Sequence, residues 1–206
     1  MSLPFGTKVY LEDKTLKKIE DLKFGDKVLS IKIKDEELLN HSNFYYKYAK
    51  KDNTGNQNNI KINKLDFCSA TVHSIFLHKQ KTDFISFNNI LLSSTNPILI
   101  SKTAVDPNEF FLKDSRDIIA KLQNNINNEK YFIQSLAAQS FNIGSDVLNK
   151  NIFIDLDNPF LQNEIVDFDL NIISQPAISV VLLDHHFLLT ENLISFGSIV
   201  GDDLLL

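Results

Sequence analysis

Apolar and polar residues alternate in short runs along this chain, separated by clusters rich in Asn, Asp and Gly, the pattern of half-buried strands joined by turns. A first strand is predicted over Thr7–Leu11 and a second over Leu16–Ile19, with Glu12–Thr15 as the turn between them. Phe24-Gly25-Asp26 signals a sharp turn into the alternating run Lys27–Ile33, and Gly25 is expected at positive φ, which only glycine adopts without steric cost. Residues 40–63 are polar and rich in Asn and Lys with no sustained period, and read as a long loop or insertion. Strand character resumes over Phe67–His78, where strict alternation puts Val72, Ser74, Phe76 and His78 on one face and His73, Ile75 and Leu77 on the other. Thr82–Phe87 and Ile90–Ser93 follow as separate strands joined by Asn88-Asn89, a tight turn because Asn tolerates positive φ.

Beyond Pro97 comes the apolar run Ile98–Ile100, then a break at Asp106-Pro107. Ile118, Ile119 and Leu122 stand at helical spacing, which predicts a helix over Ser115–Asn125 capped by Asp114 or Ser115. Further strands are expected at Tyr131–Ile133, Val147–Leu148, Ile152–Ile154, Glu164–Phe168, Ala177–Leu183 and Phe187–Ser195. Such a succession suits a strand-rich fold rather than βαβ repeats.

Composition narrows the function. With 43% hydrophobic residues, 16 of them Phe, the chain has ample material for a core. Its formal net charge of −5 repels a phosphate backbone, so nucleic acid is not an expected partner. Cys68 is the sole cysteine, unable to pair within the chain, and is expected as a small buried residue in a strand. No apolar run reaches the ~18 residues of a membrane span. His73 and His78, five apart on a strand, face opposite sides and cannot share a metal. No Gly-rich phosphate loop or Gly-x-Ser-x-Gly elbow occurs, so neither a metal nor a cofactor is expected.

The opening Ser2-Leu3-Pro4-Phe5-Gly6-Thr7-Lys8-Val9-Tyr10-Leu11, continued by Lys18-Ile19-Glu20-Asp21-Leu22-Lys23-Phe24-Gly25-Asp26-Lys27-Val28, resembles the start of Hint (hedgehog/intein) domains. A second block, Asp83–Phe87 with Ile90-Leu91-Leu92-Ser93-Ser94-Thr95-Asn96-Pro97-Ile98-Leu99-Ile100, is similar to the family's strand pair ending in Thr-x-x-His-Pro. Ser140–Leu148 resembles a later Gly-Asp turn, and Val180–Ser195 the final block with its His-x-Phe element. The resemblance implies an all-β, horseshoe-like Hint fold with pseudo-two-fold symmetry. It would be a single domain over 1–206, with a loop insertion at 40–63 and a helical insertion at 106–130.

The chemistry implied is autoprocessing, at most a single-turnover self-cleavage in which a side-chain nucleophile attacks the carbonyl of the preceding peptide bond. Ser2 stands at the nucleophile position, Ser93 at that of the motif Thr, Asn96 where the family has His, and His185 or His186 at the final-block His. Ser2, Ser93, Asn96 and His185 are therefore the candidate catalytic residues, expected to meet in one cleft. Asn96 cannot serve as an acid near neutral pH. Ile178 and Ser179 occupy the place of a carboxylate that active members carry, and Phe196–Asp202 replaces the terminal His-Asn of splicing members. The expectation is a degenerate, splicing-incompetent Hint domain serving as a structural or binding module, viral or phage-associated, soluble, and cytoplasmic or virion-borne. The alternative is an active autoproteolytic domain that performs an N-to-O acyl shift at Ser2 when fused to an upstream segment, since only Met1 precedes Ser2 here. The expected partner is such a fused or associated segment.

Overall fold

The computed structural model describes residues 2–33, 60–61, 65–93, 97–102, 109–124, 130–136, 160–183, 185, 187–196 and 198–199. In chain order the strands are β1 (Leu3–Pro4), β2 (Lys8–Tyr10), β3 (Leu16–Lys18), β4 (Lys27–Ile33), β5 (Ile60–Lys61), β6 (Leu65–Phe87), β7 (Ile90–Ser93), β8 (Pro97–Ser101) and β9 (Glu109–Asp114). The α-helix α1 (Ser115–Gln123) precedes β10 (Phe132–Leu136), β11 (Phe160–Glu164), β12 (Phe168–Leu182), β13 (Phe187–Leu189), β14 (Ile194–Phe196) and β15 (Ser198–Ile199). The fold class is all-β. Among the described residues, no helix is long and apolar enough to cross a membrane.

One antiparallel ribbon organises the chain. β6, a strand of 23 residues, pairs with β12 from Val72↔Leu182 to Phe87↔Phe168. At its start β6 also pairs with β4, and at its end with β7, while β1 pairs with the far edge of β12. β6 thereby serves two hydrophobic cores. Its Ala70 and Val72 join Leu3, Val9, Ile19, Val28, Ile178, Val180, Leu182 and Leu188 in the first. Its Ile85 and Phe87 join Leu92, Ile98, Ile100, Ile118, Ile119, Tyr131, Ile133 and Leu193 in the second, which lies against the sheet built from β8–β11, β13 and β14. Each large apolar side chain buried in this way contributes about 1.5–3 kcal/mol.

The sequence predicted a break between Phe67–His78 and Thr82–Phe87, whereas β6 runs straight through. The polar run Lys79-Gln80-Lys81 stays extended because β12 is paired on both sides of it, at Ala177↔His78 and Gln175↔Thr82. A register shift between them falls at Pro176, which has no N–H to give the ladder. Strict alternation is also corrected. Val72 faces Leu182 and Ser74 faces Val181, so β6 carries one extra residue at His73, and the bulge turns Val72 and Ile75 into the same core. Ser74, Phe76 and His78 keep a common face on the other side. Phe187–Ser195, expected as one strand, is the hairpin β13–β14. Thr190 closes it by donating its hydroxyl to the Leu193 carbonyl (2.9 Å) and accepting the Leu193 N–H (3.1 Å).

The turns follow their residues. Asn88 and Asn89 take φ of 46° and 65°, the two left-handed positions of a two-residue hairpin turn. In the β2–β3 turn the Asp13 carboxylate accepts the Thr15 hydroxyl (2.6 Å) and N–H (3.0 Å), and these bonds hold its pKa below the ordinary value. Gly25 has φ +84°. Around it the Gly25 N–H donates to the Val72 carbonyl and the Val72 N–H to the Asp26 carbonyl, both at 2.9 Å, which ties the turn to β6. The Asp26 carboxylate accepts Lys17 Nζ and the Lys23 N–H, each at 2.8 Å. Cys68 lies half-buried in β6.

The helix expected over 115–125 is present as α1, and β9 in the same 106–130 stretch pairs with β8 at Pro97↔Asp114 through Ile100↔Phe111. Most of residues 40–63, and the expected strands at Val147–Leu148 and Ile152–Ile154, lie outside the described residues.

Candidate functional site

The antiparallel register Leu3↔Ile178 and Pro4↔Ala177 brings the start of β1 beside Ser179. Ile178 and Val180 point into the first core, so Ser179 between them projects from the opposite face of the sheet. Phe76 stands across from Ser179 on β6, and His78 is two residues further along that strand on the same face. Side chains of β12, of β6 and of the residue just before β1 therefore converge. The hydroxyls of Ser2 and Ser179 are 3.1 Å apart, and Ser179 Oγ is 2.7 Å from His78 Nε2. Ser179 is almost wholly buried, whereas Ser2 and His78 are half-buried. A hydroxyl can donate once and accept at the same time, so Ser179 links the serine at the head of β1 to an imidazole nitrogen.

The four residues singled out from the sequence fare differently. Ser2 lies in this cluster. Ser93 ends β7, which packs alongside β1; it is buried, and its carbonyl accepts the Ser115 hydroxyl at 3.1 Å, pinning the start of α1 to the end of β7. His185 sits half-buried in the connection that follows β12. Asn96, like the alternative His186, lies outside the described residues, as do Met1 and the Gly-Asp turn of Ser140–Leu148.

Ser179 and His78 were not among the candidates. Ser179 entered only as the residue standing where a carboxylate was sought, and His78 only as one of two histidines tested for metal spacing. Their partnership spans 101 residues and depends on strand register, which leaves no local trace in sequence. Among the described residues, no group of three or more His, Cys, Asp or Glu side chains is placed to hold a metal ion.

The surroundings are apolar and open on one side. Phe76, across from Ser179 on the same face, is 50% exposed, so the cluster is reachable from solvent rather than sealed in a core. Ser30 in β4, fully buried, donates its hydroxyl to the Phe187 carbonyl at 2.6 Å and fixes β13 against β4, on the core side of the same sheet.

No family model and no curated protein matches the chain. Among solved structures it is similar to a bacterial intein-like domain from Clostridium thermocellum, at 14% identity and a TM-score of 0.47, over 96% of this chain and 98% of that one. A mutant of the Ssp DnaB mini-intein is similar at 10% identity and a TM-score of 0.48, over 96% of this chain and 99% of that one. An intein precursor of KlbA from Methanococcus jannaschii is similar at 13% identity and a TM-score of 0.48, over 98% of this chain and 94% of that one.

Proposed function

We propose that this chain is a Hint-type autoprocessing domain that retains the first step, an N-to-O acyl shift at Ser2, without the residues for splicing. The observation that supports it is the position of Ser2. The hydroxyl heads the first strand, half-buried, and is held in a hydrogen-bonded chain that ends on a histidine. A serine hydroxyl is a weak nucleophile unless a neighbouring base takes its proton. In the shift, Ser2 Oγ bonds to the carbonyl carbon of the preceding residue, the carbon–nitrogen bond breaks, and the freed Ser2 nitrogen carries the proton that Oγ lost. An amide becomes an ester with no external reactant. The motif order along the chain supports the same reading, since the segment that resembles the family's first block is the one that begins at Ser2.

The test is a fusion of an upstream protein to Ser2, followed by intact mass with and without hydroxylamine, which attacks esters and leaves amides intact. Cleavage immediately before Ser2, accelerated by hydroxylamine and abolished in Ser2→Ala, is the expected result. A fusion that stays whole through prolonged hydroxylamine treatment would instead assign the domain a structural or binding role.

A further inference from the structure

The geometry points to His78, acting through the Ser179 hydroxyl, as the proton acceptor for Ser2; this rests on the autoprocessing reading and gives its site a base that the sequence comparison did not supply. With Nε2 unprotonated, Ser179 donates to His78 across 2.7 Å and accepts from Ser2 across 3.1 Å. When Ser2 Oγ attacks the upstream carbonyl, its proton passes to Ser179 Oγ while the proton of Ser179 passes to His78 Nε2. As the carbon–nitrogen bond breaks, one proton is delivered to the Ser2 nitrogen and the imidazole returns to its starting form. Nothing is oxidised or reduced, and Ser179 ends unchanged.

Three features fit a proton relay better than incidental packing. Ser179 is buried, so its two partners hold the hydroxyl in one orientation, whereas a solvated serine would exchange partners with water. His78 is half-exposed, so the proton it takes can equilibrate with solvent. Ser179 and His78 lie on the paired strands β12 and β6, and Ser2 directly precedes β1 on the other side of β12, which leaves the three groups little freedom to separate. Ser179 also stands where the resemblance calls for a carboxylate, and a hydroxyl backed by an imidazole can do what a lone hydroxyl cannot.

The experiment compares the upstream fusion carrying the parent sequence, His78→Gln, His78→Gly, Ser179→Ala and Ser2→Ala. Gln keeps a hydrogen-bonding side chain but cannot take the proton. Cleavage in His78→Gln and Ser179→Ala should fall at least ~100-fold, the lower end of what a positioned base contributes, and added imidazole should restore His78→Gly but not Ser179→Ala. Ser2-dependent cleavage that is unchanged in His78→Gln and Ser179→Ala would overturn the relay while leaving the autoprocessing reading intact. No cleavage in the parent would count against that reading, and the relay is then decided by thiol chemistry in the chain alone. In a Cys68→Ser background, the thiol introduced by Ser2→Cys should be alkylated by iodoacetamide several-fold faster with His78 than with His78→Gln, because the thiolate is the reacting form. Equal rates would dismiss the relay in that case too.

Discussion

Replacing Asn88 separates backbone strain from side-chain bonding at the junction of the two halves of the fold. Asn88 opens the turn between β6 and β7 with φ 46°, and its side chain reaches the segment that joins β11 to β12. Nδ2 donates to the Glu164 carbonyl at 2.6 Å, while Oδ1 accepts the N–H groups of Val166 at 3.2 Å and Asp167 at 3.1 Å. The Asn88 N–H also donates to the Asp167 carbonyl at 2.9 Å, a bond that any substitution except proline keeps. Each side-chain bond contributes about 1 kcal/mol when shielded and less when exposed, so losing all three costs about 1–2 kcal/mol. An alanine also meets the left-handed backbone, adding about 1 kcal/mol. Asn88→Gly, which keeps the backbone free, should therefore lose about 1–2 kcal/mol and Asn88→Ala about 2–3 kcal/mol. At roughly 2–4 °C per kcal/mol for a chain of this size, Tm should fall by about 2–8 °C and about 4–12 °C respectively. Calorimetry or urea titration of both variants reads the difference. A glycine variant as stable as the parent would show that the side-chain bonds contribute nothing, and an alanine variant equal to glycine would show that the turn does not constrain φ.

Gly25→Val should cost about 1 kcal/mol or more from its positive φ alone, because no atom lies within 4 Å of the position a β-carbon would take, and an unchanged Tm would contradict this. The hydrogen bond from Lys17 lowers the Asp26 pKa, aided by the Lys23 N–H and opposed by partial desolvation. Its contribution is thus fully present above the ordinary carboxylate pKa and is lost as pH falls through the lower folded value. The stability gap between the parent and Asp26→Asn should accordingly close on acidification, and a gap that stays constant from neutral pH down through about 3 would refute the pairing. Finally, Ser2→Cys combined with Asn96→His in an upstream fusion should cleave in a thiol-dependent way, since a thiolate outcompetes a hydroxyl and an imidazole can transfer a proton that an amide cannot. Folded double mutants that stay whole in dithiothreitol would remove Ser2 and Asn96 from the proposed chemistry.

What was legible in the sequence is what local chemistry dictates. Lys27–Ile33 is a strand at the predicted bounds because its short apolar run can be buried on both faces, Val28, Leu29, Ser30 and Ile31 all being buried. Asn88-Asn89 makes the predicted turn because both residues tolerate positive φ, and Gly25 takes the φ that its neighbours could not. The helix from Ser115 starts where it was expected, since Ile118 and Ile119 have a core to enter. The failures along β6 share one cause, the reach of β12. A bulge at His73 and the ladder on both sides of Lys79-Gln80-Lys81 are set by a partner strand roughly a hundred residues away, a separation that no window along the chain samples. The same holds for the site. Ser2 could be found from the block around it, whereas Ser179 and His78 become neighbours only when that partner strand is in register.

The shared ribbon also sets how the chain comes apart and together. Since β6 supplies Val72 to one core and Phe87 to the other, neither core can lose its sheet without fraying the strand that supports both. Denaturation should then register as one transition in probes of either half. Assembly carries the opposite burden: pairing Leu182 with Val72 closes a loop of on the order of a hundred residues before much burial rewards it, which places this fold among slow, high-contact-order folders. Until β12 has left the ribosome, the stretch of β6 between its pairings with β4 and β7 has no neighbouring strand, and it is there that a newly made chain is most open to other edges.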